Sequence, residues 1–280
     1  MKNFNRRRSS YLDVLRYLLL AVLALPFALP LLWMLSTAFK PTRLIYTSPP
    51  QWIPNPISID NFTGALRLID FPRYLANTTV ITLLAMIGTV FSSSLVGYAF
   101  AILPARGKNI LFALLLATIM VPSTATLIPM FIGFSQLGWI DTYLPLILPH
   151  FFANAFYVFL FRQFYRTISG ELFESAELDG CNPFSAYWRI ALPLSRPAVT
   201  AVGVFAFIAT WNDFLGPLVY INTQSKFTVS LGLALFQGTY YSQLHYLMPL
   251  SLIAVLPILL IFIGAQRFLI QWIIVTGIKG

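Results

Sequence analysis

Long apolar stretches without charge are the feature that most constrains how this chain can fold. Several of them reach or pass 20 residues, and residues 74–105 carry no charged side chain at all. About 20 apolar residues in a helix cross the roughly 30 Å hydrocarbon layer of a membrane. The chain is 58% hydrophobic and 10% charged, against about 25% charged in soluble proteins. A soluble core could not bury that much apolar surface, so the sequence predicts an integral membrane protein.

We predict an all-α fold of about six transmembrane helices, forming a single transmembrane domain over residues 1–280. The first span is too long for a cleaved signal peptide, whose apolar region covers about 7–15 residues. The sequence contains neither an apparent internal repeat nor a segment long enough for a separate soluble domain. The apolar pattern predicts spans near residues 12–38, 74–103, 110–134, 144–164, 198–220 and 247–270.

The distribution of lysine and arginine predicts the orientation of these spans. Six spans leave both termini on one side of the membrane, and loops on the cytoplasmic side carry the excess of basic residues. Thirteen of the 18 basic residues fall on the side of the termini and five on the other side. Both termini are therefore expected to be cytoplasmic.

Composition argues against a disulfide or metal site and against a nucleic-acid site. Cys181 is the single cysteine, so it cannot pair within the chain, and no ligand set for a metal surrounds it. The net charge of +9 could suit nucleic acid, but the basic residues are scattered between apolar spans without a binding module. We therefore expect membrane lipid around this chain and no nucleic acid.

Two connections between the predicted spans are too long to be simple turns. The outer loop, residues 40–73, is rich in proline, which favours a semi-extended surface segment. The inner loop, residues 166–197, is the only strongly polar stretch of the chain. Because its polar residues lie at the inner membrane face, the inner loop is the main candidate for a functional segment.

The inner loop contains signals for two short helices. Ser169 can cap a first helix whose opening turns hold Glu171 and Glu174, since carboxylates are favourable near a helix N-terminus. Gly180 would end that helix, because glycine accepts the left-handed conformation of many helix ends. Pro183 is a favoured first residue for the second helix.

The second helix is expected to run to about Leu192, where Pro193 would end it. Two short helices with a glycine turn between them could dock a cytosolic partner protein. An ordinary amphipathic helix lying on lipid headgroups explains the same periodicity. The side chains that this helix would expose are Phe184, Tyr187, Trp188 and Ile190.

The spacing within the inner loop resembles the EAA loop of ATP-binding-cassette (ABC) import permeases. Three residues separate a Glu-Ser-Ala sequence from the glycine, and nine residues separate the glycine from Ile-Ala-Leu-Pro. The aspartate before the glycine is also in its usual place, whereas Ser175 replaces the usual alanine with another small residue. The residues that carry the resemblance are Glu174, Ser175, Ala176, Asp179, Gly180, Ile190, Leu192 and Pro193.

Other short motifs narrow the resemblance to the carbohydrate, MalG-like branch of these permeases. Their order and spacing along the chain are together specific, and they imply the type I ABC importer permease fold. The motifs are Phe39-Lys-Pro41, Asn77-Thr-Thr79, Trp211-Asn-Asp-Phe214, Gln266-Arg-Phe268 and Thr276-Gly-Ile-Lys-Gly280.

The resemblance implies a transport subunit for a sugar or sugar-like solute in the bacterial inner membrane, and not an enzyme. In this family the EAA loop couples the membrane helices to an ATPase. The chain has no Gly-x-x-x-x-Gly-Lys-Ser/Thr phosphate loop, so ATP and Mg²⁺ would be bound by the partner and no cofactor by this chain. The implied partners are a second permease subunit, two ATPase subunits or domains, and an extracytoplasmic solute-binding protein.

Polar side chains inside apolar spans are expensive in a membrane, so each is a candidate for the solute pathway. Asp213 stands about 15 residues into the fifth predicted span, beside Trp211 and Asn212. Hydrogen-bonding groups beside an aromatic face suit a hydroxylated ring. The cluster would equally fit a helix end at the outer interface, where tryptophan is common.

Other polar residues of the spans also allow structural interpretations. Asn77 could line the pathway or cap the second helix. Ser92–Ser94 and Asn154 could let membrane helices pack closely. His150 and His245 have no acid or nucleophile at a recognisable spacing, which favours interfacial positions.

Three other functions stay open on the sequence. An ABC permease for polyamine or phosphate would have the same composition. A secondary transporter would usually carry paired intramembrane charges or two repeated halves, whereas Asp213 is the one candidate charge. An intramembrane enzyme would need a nucleophile or a metal set, and neither a His/Glu ligand pair nor a Gly-x-Ser-x-Gly elbow is present.

Overall fold

The computed structural model describes the backbone of residues 3–237 and 243–277, and the side chains of residues 11–237 and 243–268. The last three residues of the carboxy-terminal motif, Ile278–Gly280, lie outside this range. The chain divides into two compact units, one of Met1–Ile69 with Leu235–Val255 and one of Asp70–Ala234 with Leu256–Gly280.

The regular elements of the described residues are helices. The first unit contains α1 (Asn3–Ala38), α2 (Thr42–Ile45) and α3 (Asp60–Leu68). The second unit contains α4 (Phe71–Ala101), α5 (Lys108–Ala117), α6 (Ser123–Gln136), α7 (Leu144–Ile147), α8 (Ala155–Tyr165), α9 (Glu171–Leu178), α10 (Pro183–Ala186), α11 (Leu192–Leu194), α12 (Arg196–Trp211), α13 (Leu215–Tyr220) and α14 (Val229–Ala234). The last helix, α15 (Leu244–Gly277), has residues in both units.

Four helical segments are long and apolar enough to cross a membrane: Tyr11–Ala38, Phe71–Ala101, Leu144–Tyr165 and Leu244–Phe268. Two further helix pairs meet the same criterion together but bend sharply, by 95° between α5 and α6 and by 80° before α12. The described residues therefore hold up to six spans. The prediction of an all-α membrane protein with about six transmembrane helices is confirmed.

Three predicted spans are interrupted where a proline or an asparagine favours a helix end. The span near residues 110–134 bends at Pro122, which has no N–H to donate. The span near 144–164 breaks before Asn154, whose side chain caps α8 by accepting from the N–H groups of Phe156 and Tyr157. The span near 198–220 ends its main helix at Trp211 and resumes as α13.

In the first unit, the outer loop folds back onto the end of α1. The side-chain amide of Asn61 donates hydrogen bonds to the carbonyls of Ala38 and Lys40, at 3.3 and 2.6 Å. These carbonyls belong to the helix end, where backbone acceptors lack partners within the helix. The segment predicted to be semi-extended is instead held against its own helix, and it contains α2 and α3.

Lys40, from the Phe-Lys-Pro motif, is fully buried in this first unit. Its ammonium lies 4.0 Å from the centre of the Trp33 ring, and Trp33 packs edge-on against Trp52 at 5.0 Å. Burial lowers the pKa of Lys40 from its ordinary value. The cation–π contact stabilises an ammonium that has no hydrogen-bond acceptor among the described residues.

In the second unit, the long helix α4 packs against both α8 and α12. Gly97 permits the close approach to α8, because a Cβ added there would lie 2.6 Å from Cβ of Phe161. The hydroxyl of Ser93 accepts from the N–H of Asn154, and that of Ser92 donates to the carbonyl of His150. The buried serines thus hold the start of α8 and the turn before it against α4, as the helix-packing interpretation predicts.

Candidate functional site

The first helix of the inner loop, α9, begins without a side-chain cap. Gly170 is its N-cap residue, and Ser169 contributes through its carbonyl, which accepts from the N–H of Leu172 at 3.4 Å. The predicted Ser169 cap is therefore wrong, since the helix starts one residue later. Glu171 and Glu174 do lie in the first turn, where carboxylates are favourable.

Gly180 ends this helix in the left-handed conformation, with a φ of 79°. The N–H of Cys181 donates to the carbonyl of Ala176 at 2.8 Å, which closes the turn as in a Schellman motif. A Cβ added to Gly180 would meet nothing within 4 Å. The predicted glycine helix end is confirmed, and its requirement for glycine comes from the backbone and not from crowding.

The second helix starts as predicted but runs further. The side chain of Asn182 accepts from the N–H of Ser185 at 2.8 Å, and Pro183 is the first helical residue. A π-helical turn, Tyr187–Ala191, then leads into α11, which ends at Leu194. Pro193 lies in the first turn of α11 and does not end the helix, because a proline is tolerated at that position.

The face that this second helix exposes differs from the prediction at one residue. Phe184 and Trp188 are 60% and 44% exposed, as expected, and Ile190 is half-buried. Tyr187 is fully buried, so its predicted exposure is wrong. Its ring faces α4, where it lies 5.4 Å from the ring of Tyr98.

The remaining residues of the EAA pattern form an accessible surface around the glycine turn. A cavity of about 660 Å³ opens between this loop and the ends of α4 and α8, with Glu174 in its lining. Glu174 forms no salt bridge among the described side chains, so its charge is available to a partner. The exposed or half-buried members are Glu174, Ser175, Ala176, Asp179, Gly180, Ile190, Leu192 and Pro193.

The Trp-Asn-Asp cluster forms the end of α12. Trp211 is buried and stacks on Phe207 at 5.2 Å. The amide of Asn212 donates back to the carbonyl of Ile208 at 2.8 Å. Asp213 accepts from the N–H of Gly216 at 3.2 Å through one carboxylate oxygen. All three groups thus have a partner: those of Trp211 and Asn212 lie within α12, and that of Asp213 is Gly216 in α13. These contacts agree with the structural interpretation of the cluster.

Asn77 lies inside α4 and does not cap it, because α4 begins at Phe71 and is capped by Asp70. The amide of Asn77 donates to the carbonyls of Ser225 and Phe227, at 3.0 and 2.9 Å. These two acceptors belong to residues 225–230, a segment that we call the return segment. Asn77 therefore fixes this segment against α4.

The return segment also connects α4 to Asp213. The hydroxyl of Thr78 accepts from the N–H of Val229 at 2.8 Å, and that of Ser230 donates to the carbonyl of Asp213 at 2.6 Å. Asn77 and Asp213, two residues predicted for the pathway, are thus linked through one short stretch of chain without touching each other.

Asp141 is a residue that the sequence did not single out. Its carboxylate accepts from the N–H groups of Asn222 and Thr223, from the hydroxyl of Thr223 and from the ammonium of Lys226. The hydrogen bonds from Thr223, more than that from Lys226, hold the pKa of Asp141 far below its usual range. Its backbone is left-handed, with a φ of 59°, which marks a turn. The Asp-Thr pair just before a predicted span is the sequence signal that could have identified this turn.

Comparison with known proteins finds sequence similarity along most of the chain. Residues 93–274 match the model of a family described as "Binding-protein-dependent transport system inner membrane component". The arabinooligosaccharides transport system permease protein AraQ of Bacillus subtilis (strain 168) is 34% identical over 229 residues, which cover 81% of each chain. The lactose transport system permease protein LacG of Rhizobium radiobacter is 28% identical over 259 residues, 92% of this chain and 94% of LacG.

A solved structure has a similar fold. The crystal structure of a bacterial ABC transporter involved in the import of the acidic polysaccharide alginate contains a chain that superposes with a TM-score of 0.80. The two chains are 20% identical, and the match covers 94% of this chain and 98% of the other. This likeness concerns the fold.

Proposed function

Because this chain belongs to the family of binding-protein-dependent transport system inner membrane components, we propose that it is one permease subunit of an ABC importer for a sugar or sugar-like solute. The observation that carries the proposal is the family match, which includes the whole inner loop. The sugar class follows from two relatives described as permeases for arabinooligosaccharides and for lactose, both of them carbohydrates.

We further propose an assembly in which this chain pairs with a second permease, two ATPase subunits or domains and an extracytoplasmic solute-binding protein. ATP and Mg²⁺ are bound and ATP is hydrolysed on the ATPase, since this chain has no phosphate loop. Both termini lie in the cytoplasm of this proposed arrangement, as the excess of basic residues on their side favours.

The inner loop is the proposed contact with the ATPase. Its eight EAA-pattern residues surround a glycine turn with a free acidic charge, and the exposed rings of Phe184 and Trp188 stand on the adjoining helix. Exposed aromatic side chains are typical of protein interfaces. A helix that only lay on lipid headgroups would not need the glycine turn.

For the solute pathway we propose Asp213 as the contact, with Trp211, Asn212 and Asn77 holding it in place. One oxygen of Asp213 binds the N–H of Gly216, and the second has no hydrogen-bond donor among the described residues. The amides of Asn212 and Asn77 already bind backbone carbonyls. A carboxylate with a free acceptor suits a sugar hydroxyl.

The decisive experiment is reconstitution of the complex with its binding protein in liposomes. ATP hydrolysis should rise with an arabinooligosaccharide or lactose in a panel that also contains spermidine and inorganic phosphate. If only spermidine or only phosphate stimulated ATP hydrolysis, the protein would belong to another branch of importers. Solute uptake by this chain without any ATPase would overturn the ABC assignment.

A further inference from the structure

A buried hydrogen bond joins the second helix of the inner loop to α4. The hydroxyl of Tyr187 lies 2.7 Å from that of Ser94, and both residues are fully buried. Ser94 donates its own proton to the carbonyl of Phe91 at 3.0 Å, which leaves Tyr187 as the donor in the pair. A buried hydroxyl without a partner would be costly, so this bond fixes where the Tyr187 ring can lie.

Two more hydroxyl groups attach the same stretch of the inner loop to the spans. Tyr98, also on α4, donates to the carbonyl of Pro183 at 3.0 Å. Ser195 is fully buried at the bend into α12, and its hydroxyl lies 3.4 Å from that of Tyr165 on α8. Residues 183–195 are thus held to membrane helices at three points: Pro183, Tyr187 and Ser195.

Two neighbouring aromatics at the start of the π-helical turn lie on different faces of the second helix, since successive residues of a helix point about 100° apart. Tyr187 is the first residue of the turn and is buried, whereas Trp188 is 44% exposed. A π turn shifts the register of the side chains after it, and such turns are frequent at functional sites. The result is one short segment with an exposed ring on one side and a hydrogen-bonded tyrosine on the other.

Helix α4 is suited to carry a displacement over a long distance. It runs without a break from Phe71 to Ala101, whereas the spans that contain α5, α7 and α12 are interrupted. From Ser94 to Asn77 the helix rises by about 25 Å, at 1.5 Å per residue. Asn77 holds the return segment at the opposite end, and that segment binds the carbonyl of Asp213 through Ser230.

We propose that Tyr187 is the positioning residue through which movement of the inner loop displaces α4, by way of its hydrogen bond to Ser94. The chain of contacts runs from the exposed ring of Trp188 to Tyr187, along α4 to Asn77, and through the return segment to Asp213. This inference rests on the proposed function, because it needs an ATPase that moves the loop.

The test uses the complete importer in liposomes, with a fluorescent reporter near the end of α4 that is remote from the loop. Cys181→Ser removes the native thiol, and Arg73→Cys places a single label at an exposed position in the first turn of α4. The probe is ATP with vanadate, which traps the ATPase. Tyr187→Phe removes one hydroxyl, and Ser94 keeps its bond to Phe91 in that variant.

We expect Tyr187→Phe to reduce the nucleotide-induced change at the reporter about three- to tenfold, as for the loss of one buried hydrogen bond. ATPase recovery should match that of Tyr157→Phe, a half-buried tyrosine on α8, while the midpoint of thermal denaturation should fall by no more than one lost hydrogen bond requires. Ser94→Ala should reduce the reporter change as much, and the double variant should lose no more than either single one.

A reporter change that equals wild type in both single variants would overturn the inference, as would a loss of ATPase recovery large enough to explain the reduced signal. If the proposed function itself is wrong, the result differs from both of these: the wild-type complex would bind no ATPase or show no nucleotide response. In that case Tyr187 is a structural residue only.

Discussion

The ammonium of Lys226 lies 2.9 Å from the carboxylate of Asp141, in an ion pair that joins the loop before α7 to the turn after α13. The same ammonium also contacts the backbone carbonyl of Asp141. Exposed ion pairs alone contribute little, but this carboxylate also accepts two backbone N–H groups and a hydroxyl. The pair therefore belongs to a network that sets the geometry of the turn.

Replacing Asp141 with alanine should lower the midpoint of thermal denaturation of the purified complex by more than Lys226→Met does. The alanine leaves the N–H groups of Asn222 and Thr223 without their acceptor, whereas the methionine removes one donor. Asp13→Ala, which breaks an exposed pair with Arg16, is the control and should change the midpoint little. Equal effects of the three substitutions would contradict the network.

The same aspartate predicts a loss of stability in acid. Because its pKa is depressed in the folded protein, its contribution is present above the ordinary aspartate pKa of about 3.9 and is lost as the pH falls below it. Denaturation midpoints measured from pH 6 to pH 3 should fall more steeply for wild type than for Asp141→Asn. Parallel curves would show that this carboxylate is not stabilised by folding.

Gly97→Val should destabilise the packing of α4 against α8. The added side chain would meet Cβ of Phe161 and, at 3.2 Å, backbone atoms of α8 that cannot move alone. Overpacking of this kind costs about 1–3 kcal/mol. Thermal denaturation of the complex is the measurement. Gly133→Ala is the control, since nothing lies within 4 Å of a Cβ there, and it should be tolerated.

Gly180 offers a test of the inner loop in which backbone strain is the only variable. Asparagine adopts the left-handed conformation more readily than other residues, whereas a β-branched side chain rarely does. Gly180→Val should therefore weaken ATPase recovery or lower uptake per ATP hydrolysed, with a strain of about 1–2 kcal/mol. Gly180→Asn should stay near wild type.

Both substitutions at this position should leave the spans inserted in the membrane. Since no atom lies within 4 Å of an added Cβ, crowding of that Cβ by other parts of the chain does not account for a defect of the valine variant. Normal ATPase recovery and normal coupling in the valine variant would mean that the loop is a passive surface helix.

Asp213 and Asn77 should respond differently to substitution if only the first contacts solute. Asp213→Asn keeps an acceptor for the N–H of Gly216 but loses the charge, so uptake should fall while the denaturation midpoint is unchanged. Asn77→Ala loses two hydrogen bonds to backbone carbonyls, and the midpoint should fall by the equivalent of about 1–3 kcal/mol. Unchanged uptake in Asp213→Asn and Asp213→Ala would make Asp213 a structural part of the helix end.

Local patterns in the chain account for much of the architecture and of the inner loop. The length of the apolar stretches predicts the spans, because in lipid every backbone N–H and C=O group must form its hydrogen bond within the helix. The glycine helix end and the start at Pro183 are predictable for a similar reason, since caps and turns involve groups only a few residues apart. Interruptions at Pro122 and Asn154 were less visible, because each of these two spans keeps its average hydrophobicity across the break.

The tertiary structure alone decided which of two adjacent aromatics is buried and what the polar residues of the spans bind. Tyr187 turns inward because α4 presents Ser94 to it, 93 residues earlier in the chain. Asn77 and Asp141 bind carbonyls and N–H groups that are 148 and 82 residues away from them in sequence. The sequence determines the helices, since their hydrogen bonds are local. Their side-chain partners depend on which helices meet, and hydrophobic periodicity does not specify that, because lipid and neighbouring helices are equally apolar surroundings.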